Sequence, residues 1–273
     1  MMRKCAEWPV SVCSWSFQKS IQEVADAMKA MDIGYVNLAL LPALQADGEE
    51  YRKFIKKNDW TISATMINFP SEDYSTLDVI KATGGLAPDH AWEENKKLAL
   101  GAIELTAELN VEYLCMHFGF IDHSDPAYVK KFYDRTKVLA DAAAAKGIKF
   151  LMETGQESAE ELKHFLEEIN HPALRVNFDP ANMILYNKGV PVDAIQVLAP
   201  SIRHIHIKDA TRTKVEGEWG AEVPWGTGEV GADSFLNALR GIGYKGALAI
   251  EREAGNDRFG DIKMAAEKLS RFA

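Results

Sequence analysis

The feature that most constrains this chain is a pairing that recurs along its whole length: a strand-like apolar run, then a stretch with helical periodicity. The runs lie at 10–13, 35–38, 60–67, 113–117, 150–153, 176–179, 204–206 and 248–251. The helical stretches lie around Val24 and Met28, near Phe54 and Ile55, and at 92–109, 128–146, 159–169, 192–198, 234–241 and 261–269. Gly147 suits the position just past the 128–146 helix, where a positive φ is needed. Nearly continuous apolar runs suit parallel strands buried on both faces. Eight alternating units in 273 residues predict one (β/α)8 TIM barrel domain over residues 1–273. An open doubly wound sheet is the competing topology, but no GxGxxG follows the first run.

Composition narrows the setting. Lys plus Arg is 31 against 40 Asp plus Glu, a net charge of −9, which opposes nonspecific binding to nucleic acid. Three cysteines with no CxxC spacing argue against a disulfide framework and for a reducing compartment. The first residues lack the apolar stretch of a signal peptide, and no run approaches the roughly 20 apolar residues of a membrane span. The expectation is a cytoplasmic protein that engages neither membrane nor nucleic acid.

Four runs end on groups that can bind a metal: Glu153, Asp179, His206 and Glu251. Each alone has an ordinary reading. A Glu after a strand is commonly a surface residue, Asp179 before Pro180 reads as a helix cap, and His206 reads as a packed core histidine. Glu153 and Asp179 are 26 positions apart, and Asp179 and His206 are 27 apart, each about one strand–helix unit. That spacing brings all four to the carboxyl ends of successive strands, where barrel active sites assemble. Three carboxylates and an imidazole converging there repel and desolvate one another unless a cation neutralises them. The set is rich in oxygen and lacks thiolate, which suits manganese first, with magnesium, cobalt or a catalytic zinc also compatible. His117, at the end of the fourth run, reads as a further ligand, a substrate contact or packing. The 45 positions between His206 and Glu251 leave room for a lid loop through Trp219 and Trp225.

Several segments extend the pattern: Met152-Glu153-Thr154-Gly155-Gln156, Asn177-Phe178-Asp179-Pro180-Ala181-Asn182, His204-Ile205-His206-Ile207-Lys208-Asp209, Gly226-Thr227-Gly228-Glu229-Val230 and Ile250-Glu251-Arg252-Glu253. In these the chain resembles the sugar phosphate isomerase/epimerase group with xylose isomerase-like barrels, including ketose 3-epimerases and inosose dehydratases. The resemblance implies one divalent metal held by Glu153, Asp179, His206 and Glu251. It also implies that Glu153 and Glu251 exchange the substrate proton, and that Arg212, six positions after the metal His, contacts substrate. Barrels of this group often pair, so it also implies a possible homo-oligomer. The chain departs from those epimerases at Asn182, where they carry a His, which points to a different sugar. Gln156 and Trp15 join the substrate-binding candidates. Lys208 reads as a ligand for a sugar oxygen or phosphate, or as a salt-bridge partner of Asp209. Trp15, Phe69, Phe118, Trp219 and Trp225 are candidates for an apolar wall against a sugar ring, or for packing.

The leading expectation is therefore a metal-dependent isomerase or epimerase acting on a keto-sugar, sugar phosphate or polyol. An inosose-type dehydratase shares the first proton abstraction and then expels a hydroxyl. An endonuclease IV-like enzyme shares the barrel but needs additional histidines, and Asn182 and Asn68 stand near where two of them belong. A noncatalytic sugar-binding barrel is the remaining class, disfavoured by the presence of both glutamates.

Overall fold

A computed structural model describes residues 2–215 and 217–272 of the chain. Eight strands carry the architecture: β1 (Trp8–Cys13), β2 (Tyr35–Ala39), β3 (Thr61–Ile67), β4 (Tyr113–Met116), β5 (Lys149–Glu153), β6 (Leu174–Phe178), β7 (Ile202–Ile207) and β8 (Leu248–Ile250). Each pairs in parallel with the next, and β8 returns to β1 through Leu248 opposite Val10 and Ile250 opposite Val12. The sheet is thus a closed parallel barrel, as the alternating sequence predicts.

Strand side chains alternate between two environments. Phe150 and Met152 of β5, Val176 and Phe178 of β6, and Leu248 and Ile250 of β8 belong to the large core between barrel and helices. Leu151 and Cys115 belong instead to a small apolar cluster with Ala64 and Met66. Polar residues that share their parity, such as Asn177 and His206, are fully buried. The barrel is therefore apolar outside and carries its polar groups inside, toward one end.

The surrounding helices are α1 (Ile21–Ala30), α2 (Glu49–Lys57), α3 (Trp92–Glu108), α4 (Pro126–Ala145), α5 (Ala159–Ile169), α6 (Pro191–Leu198), α7 (Ala232–Gly241) and α8 (Arg258–Leu269). Their apolar stripes face the strands: Phe132, Leu139, Ala140 and Ala143 of α4, and Ala159, Leu162 and Phe165 of α5, are buried at helical spacing. Capping boxes at Ser20–Glu23 and Ser158–Glu161 start α1 and α5 sharply, each contributing about 1 kcal/mol. Gly147 adopts φ +73 just beyond α4, as its position in the sequence requires.

Two connections differ from expectation, and a third carries the helix that the cap reading of Asp179 implies. The segment 68–88 is not all loop, because Leu77–Thr83 forms a helix capped by the Thr76 side chain on the Val79 N–H. Seven residues that bury only Ile80 leave no readable periodicity. Pro180–Leu185 forms a further short helix directly after β6. The long connection after β7 folds into an antiparallel ribbon, Asp209–Thr211 against Ala221–Val223.

Candidate active site

Glu153 ends β5, Asp179 follows β6, His206 is the penultimate residue of β7, and Glu251 follows β8. One ligand atom from each lies within 4.8 Å of the others. All four are buried, at 7%, 0%, 0% and 5% exposure. His206 Nδ1 is the hub, 2.9 Å from Glu153 Oε1, 3.3 Å from Glu251 Oε2 and 3.6 Å from Asp179 Oδ2.

Each donor is oriented by neighbours. His206 Nε2 lies 2.9 Å from Asn37 Oδ1, and the Asn37 amide donates to the Ala64 carbonyl at 3.0 Å. That bond fixes which way the amide faces, so Nε2 carries the hydrogen and Nδ1 is left for the cluster. Asp179 splits its carboxylate. Oδ1 accepts from the Ala181 and Asn182 N–H groups at 2.8 and 3.0 Å, while Oδ2 is buried with no hydrogen-bond partner. Thr154 ties the β5 and β6 ends by donating to the Asp179 carbonyl at 2.9 Å and accepting its N–H at 2.8 Å. Trp15 Nε1 donates to Glu251 Oε1 at 2.8 Å, leaving Glu251 Oε2 without a hydrogen bond.

Lys208 is the second cation. It is 3% exposed and lies 3.0 Å from Glu251 Oε2, 2.6 Å from Glu253 Oε2 and 3.8 Å from Asp179 Oδ2. Burial works against its charge, but Glu251, Glu253 and Asp179 outweigh it and hold the ammonium protonated. The alternative pairing with Asp209 is not formed. Asp209 instead accepts the N–H groups of Ala210, Gly226, Gly228 and Val230, so the Gly226–Val230 segment is wrapped around that carboxylate. A Cβ at Gly228 would sit 2.3 Å from Asp209 Oδ1, which is why glycine stands there.

The same charges push the carboxyls in opposite directions. Burial raises Glu153, and Glu251 and Asp179 add to the rise against the pull of His206. Burial also raises Glu251, but Lys208 and then His206 overcome it and leave that carboxyl below its ordinary value. Asp179 is lowered against burial by Lys208 and His206. For His206 burial opposes the charge, yet the Glu251 and Asp179 carboxylates hold it well above the ordinary imidazole range. A proton on Nδ1 and the Lys208 ammonium thus occupy the electrostatic role of a cation. Two carboxylate oxygens held by ion pairs alone, without a hydrogen bond, and an oriented imidazole fit a divalent ion that would displace that proton. Cys13, His206 and Glu251 form a second possible group, but burial pushes the Cys13 thiol up to about 12, so it offers no thiolate.

The cluster opens into a cavity of about 700 Å³. Of the residues singled out in the sequence, Glu153, Glu251, Asn182, Lys208, His117 and Trp15 line it. Trp219, carried between the two strands of the ribbon, also lines it. Gln156 is buried but is not part of the lining. Arg212 is not in the lining either; its guanidinium donates to Asn187 Oδ1 at 2.9 Å and to the Gly189 carbonyl, and pairs with Glu229 at 3.6 Å. His117 stands outside the four-residue cluster. Phe69, Phe118 and Trp225 are core residues, the last packed edge-on against Phe235. Sequence reasoning passed over Asn37, Glu72, Tyr186 and Glu222. Of these, only Asn37 leaves a signal, as an amide inside an apolar run.

Among the described residues no helix is long and apolar enough to cross a membrane. A sequence profile of the xylose isomerase-like TIM barrel family matches residues 19–272. The uncharacterized protein YihM of Escherichia coli K12 is 34% identical over 98 residues, 36% of this chain and 27% of that protein's length. The xylose isomerase domain protein of Planctomyces limnophilus superposes with a TM-score of 0.88 at 30% identity over 97% of each chain. The probable 3-DHS dehydratase AsbF of Bacillus anthracis gives 0.74 at 18% identity over 96% of this chain and 99% of that one. A D-allulose 3-epimerase of a Methylomonas species, solved with D-allulose, gives 0.70 at 18% identity over 100% and 99%. Profile, barrel topology and the Planctomyces structure agree: the chain belongs to the xylose isomerase-like TIM barrel family.

Proposed function

We propose that the chain, working as one barrel domain, abstracts a proton next to the carbonyl of a keto-sugar, sugar phosphate or related polyol and so isomerises or epimerises it. The observation that carries this reading is the disposition of Glu153 and Glu251. Both reach into one cavity from strands separated by β6 and β7, and their environments push their protonation in opposite directions. Two carboxyls displaced apart in this way supply a proton acceptor and a proton donor together.

In the metal-free site Glu251 is kept ionised beside Lys208 and so suits a base, while Glu153 is raised by burial and so suits a proton carrier. Asp179 and His206 complete the cluster but are not part of the cavity lining, so they stand behind the two glutamates. Glu153, Asp179, His206 and Glu251 would hold a divalent ion, manganese favoured, which would supply Lewis-acid stabilisation of negative charge on a substrate oxygen. Lys208, 3.5 Å from Asn182 Oδ1, places a cation and an amide where sugar oxygens enter. Trp15 and Trp219 give the cavity apolar walls and help exclude water.

A second reading, loss of water from a polyol, shares the first step. His117 favours it, as a proton-carrying group in the same cavity that epimerisation does not require. A probable 3-DHS dehydratase and a D-allulose 3-epimerase both adopt this fold, which supports keeping the two readings side by side.

The test is a panel of ketoses and keto-inositols incubated with manganese-loaded protein in deuterated water. Deuterium should enter at the carbon beside the carbonyl. A converted substrate that takes up none would refute proton abstraction.

A further inference from the structure

We propose that His117, held by Glu72, delivers a proton to a hydroxyl oxygen of the substrate and turns the shared first step into loss of water. The inference rests on the proton-abstraction reading above and decides between its two outcomes.

His117 follows β4, is 3% exposed and lines the cavity, yet neither ring nitrogen has a hydrogen-bond partner. A buried imidazole with both nitrogens unpaired forfeits bonds that a structural histidine keeps. The rings of Tyr74 and Phe120 stand edge-to-face with it, their centroids 5.9 and 6.4 Å away. The carboxylate set against it is Glu72, whose Oε1 lies 3.6 Å from Nδ1 and whose side chain is 2% exposed.

Glu72 is itself pinned. Its Oε2 accepts the Phe69 N–H at 3.0 Å and its Oε1 the Gly85 N–H at 3.1 Å. Gly85 has φ +70, and a Cβ there would lie 2.0 Å from the Phe118 carbonyl oxygen, so glycine alone fits this closure. The segment between Phe69 and Gly85 therefore holds a carboxylate against His117 from outside the cavity lining, which makes Glu72 a positioning residue. A carboxylate beside Nδ1 places a hydrogen on that nitrogen and turns Nε2 toward the substrate. At 3.6 Å the pair lies just beyond hydrogen-bond length, and the proposal requires it to close when substrate binds.

The step balances as follows. A glutamate takes the proton from the carbon beside the carbonyl. The electron pair left there forms a carbon–carbon double bond to the next carbon as that carbon's C–O bond breaks. The departing oxygen keeps its bonding pair, takes the Nε2 proton of His117 and leaves as water, a step that requires the ring to enter it with hydrogen on both nitrogens. His117 remains neutral with Nδ1–H directed at Glu72 and regains its proton from solvent. The substrate class is a keto-polyol with a hydroxyl two carbons from the carbonyl.

The experiment uses the full-length manganese-loaded protein with a 2-keto-inositol in deuterated water. It follows deuterium exchange by NMR and water loss by enone absorbance. His117→Gln and Glu72→Gln should each lower water loss by about 10²-fold or more, while exchange falls by no more than about tenfold. A fluoro analogue, with fluorine in place of the departing hydroxyl, needs less proton help and should restore elimination to His117→Gln. Wild-type exchange without water loss, equal loss of both in the variants, or no rescue by fluorine would overturn the proposal. Absence of exchange in the wild type would instead sink the shared first step. Ring ¹⁵N spectra taken across pH then decide the pairing alone: once the ring has lost its Nε2 proton it should be the Nδ1–H form in the wild type and shift toward Nε2–H in Glu72→Gln, and an unchanged tautomer would overturn it.

Discussion

Asn37 Oδ1 and His206 Nε2 meet at 2.9 Å although the two residues are 169 positions apart, one on β2 and one on β7. The contact crosses the barrel interior and leaves Nδ1 of His206 as the atom facing Glu153, Asp179 and Glu251. Asn37→Ala should therefore weaken manganese binding by about 10–100-fold, the usual cost of losing an orienting partner of a metal histidine. Titration calorimetry on the apo protein measures it directly. Undiminished affinity would mean that the ring is oriented by other contacts.

Asp179 has two separable jobs. Its Oδ1 caps the helix Pro180–Leu185, and its Oδ2 is free for the cluster. Asn caps a helix about as well as Asp but brings no charge, whereas Ala does neither. Asp179→Asn and Asp179→Ala should both abolish the manganese-induced rise in melting temperature. Without metal, the Ala variant should be less stable than the Asn variant by about 1 kcal/mol. A metal-induced rise that survives in either would remove Asp179 from the ligand set.

Glu157 supplies a pH dependence independent of the cluster. It is 4% exposed, its Oε2 has no partner, and burial, with Glu161 adding to it, pushes its carboxyl up to about 8 against the pull of Lys188. The folded chain therefore holds a proton there that the unfolded chain, with an ordinary value of 4.5, has released. Between about pH 4.5 and 8 the folded state binds more protons, so this group makes stability fall as pH rises, by roughly 1.4 kcal/mol per unit at most. Glu157→Gln removes the titration. Its gain in melting temperature over the wild type should be larger at pH 8 than at pH 5, and an equal gain at both would contradict the assignment.

The barrel and the four cluster residues were legible because both depend on local order. An apolar run followed by helical periodicity marks each unit, and a polar residue closing such a run falls at a strand end. Asn37, Glu72 and the partners of Lys208 were not, because their roles come from contacts between strands and loops remote in the chain. Lys208 sits beside Asp209 in sequence, yet strand alternation sends the two apart, one to Glu251 and Glu253 and the other to the Gly226–Val230 backbone. Arg212 shows the converse, a spacing that matches the resemblance while its guanidinium is engaged by Asn187, Gly189 and Glu229.

The central claim is that Glu153 and Glu251 move the substrate proton. Its most direct test is solvent deuterium uptake by a ketose that the wild type converts, followed by NMR in Glu153→Gln, Glu251→Gln and the double variant. Gln preserves size and one metal-binding oxygen but accepts no proton. Net conversion should fall by about 10²–10⁴-fold in each single variant. One single variant should still wash the proton out without completing the reaction, and the double variant should exchange nothing. Conversion by the wild type without solvent exchange, or exchange undiminished in the double variant, would contradict it.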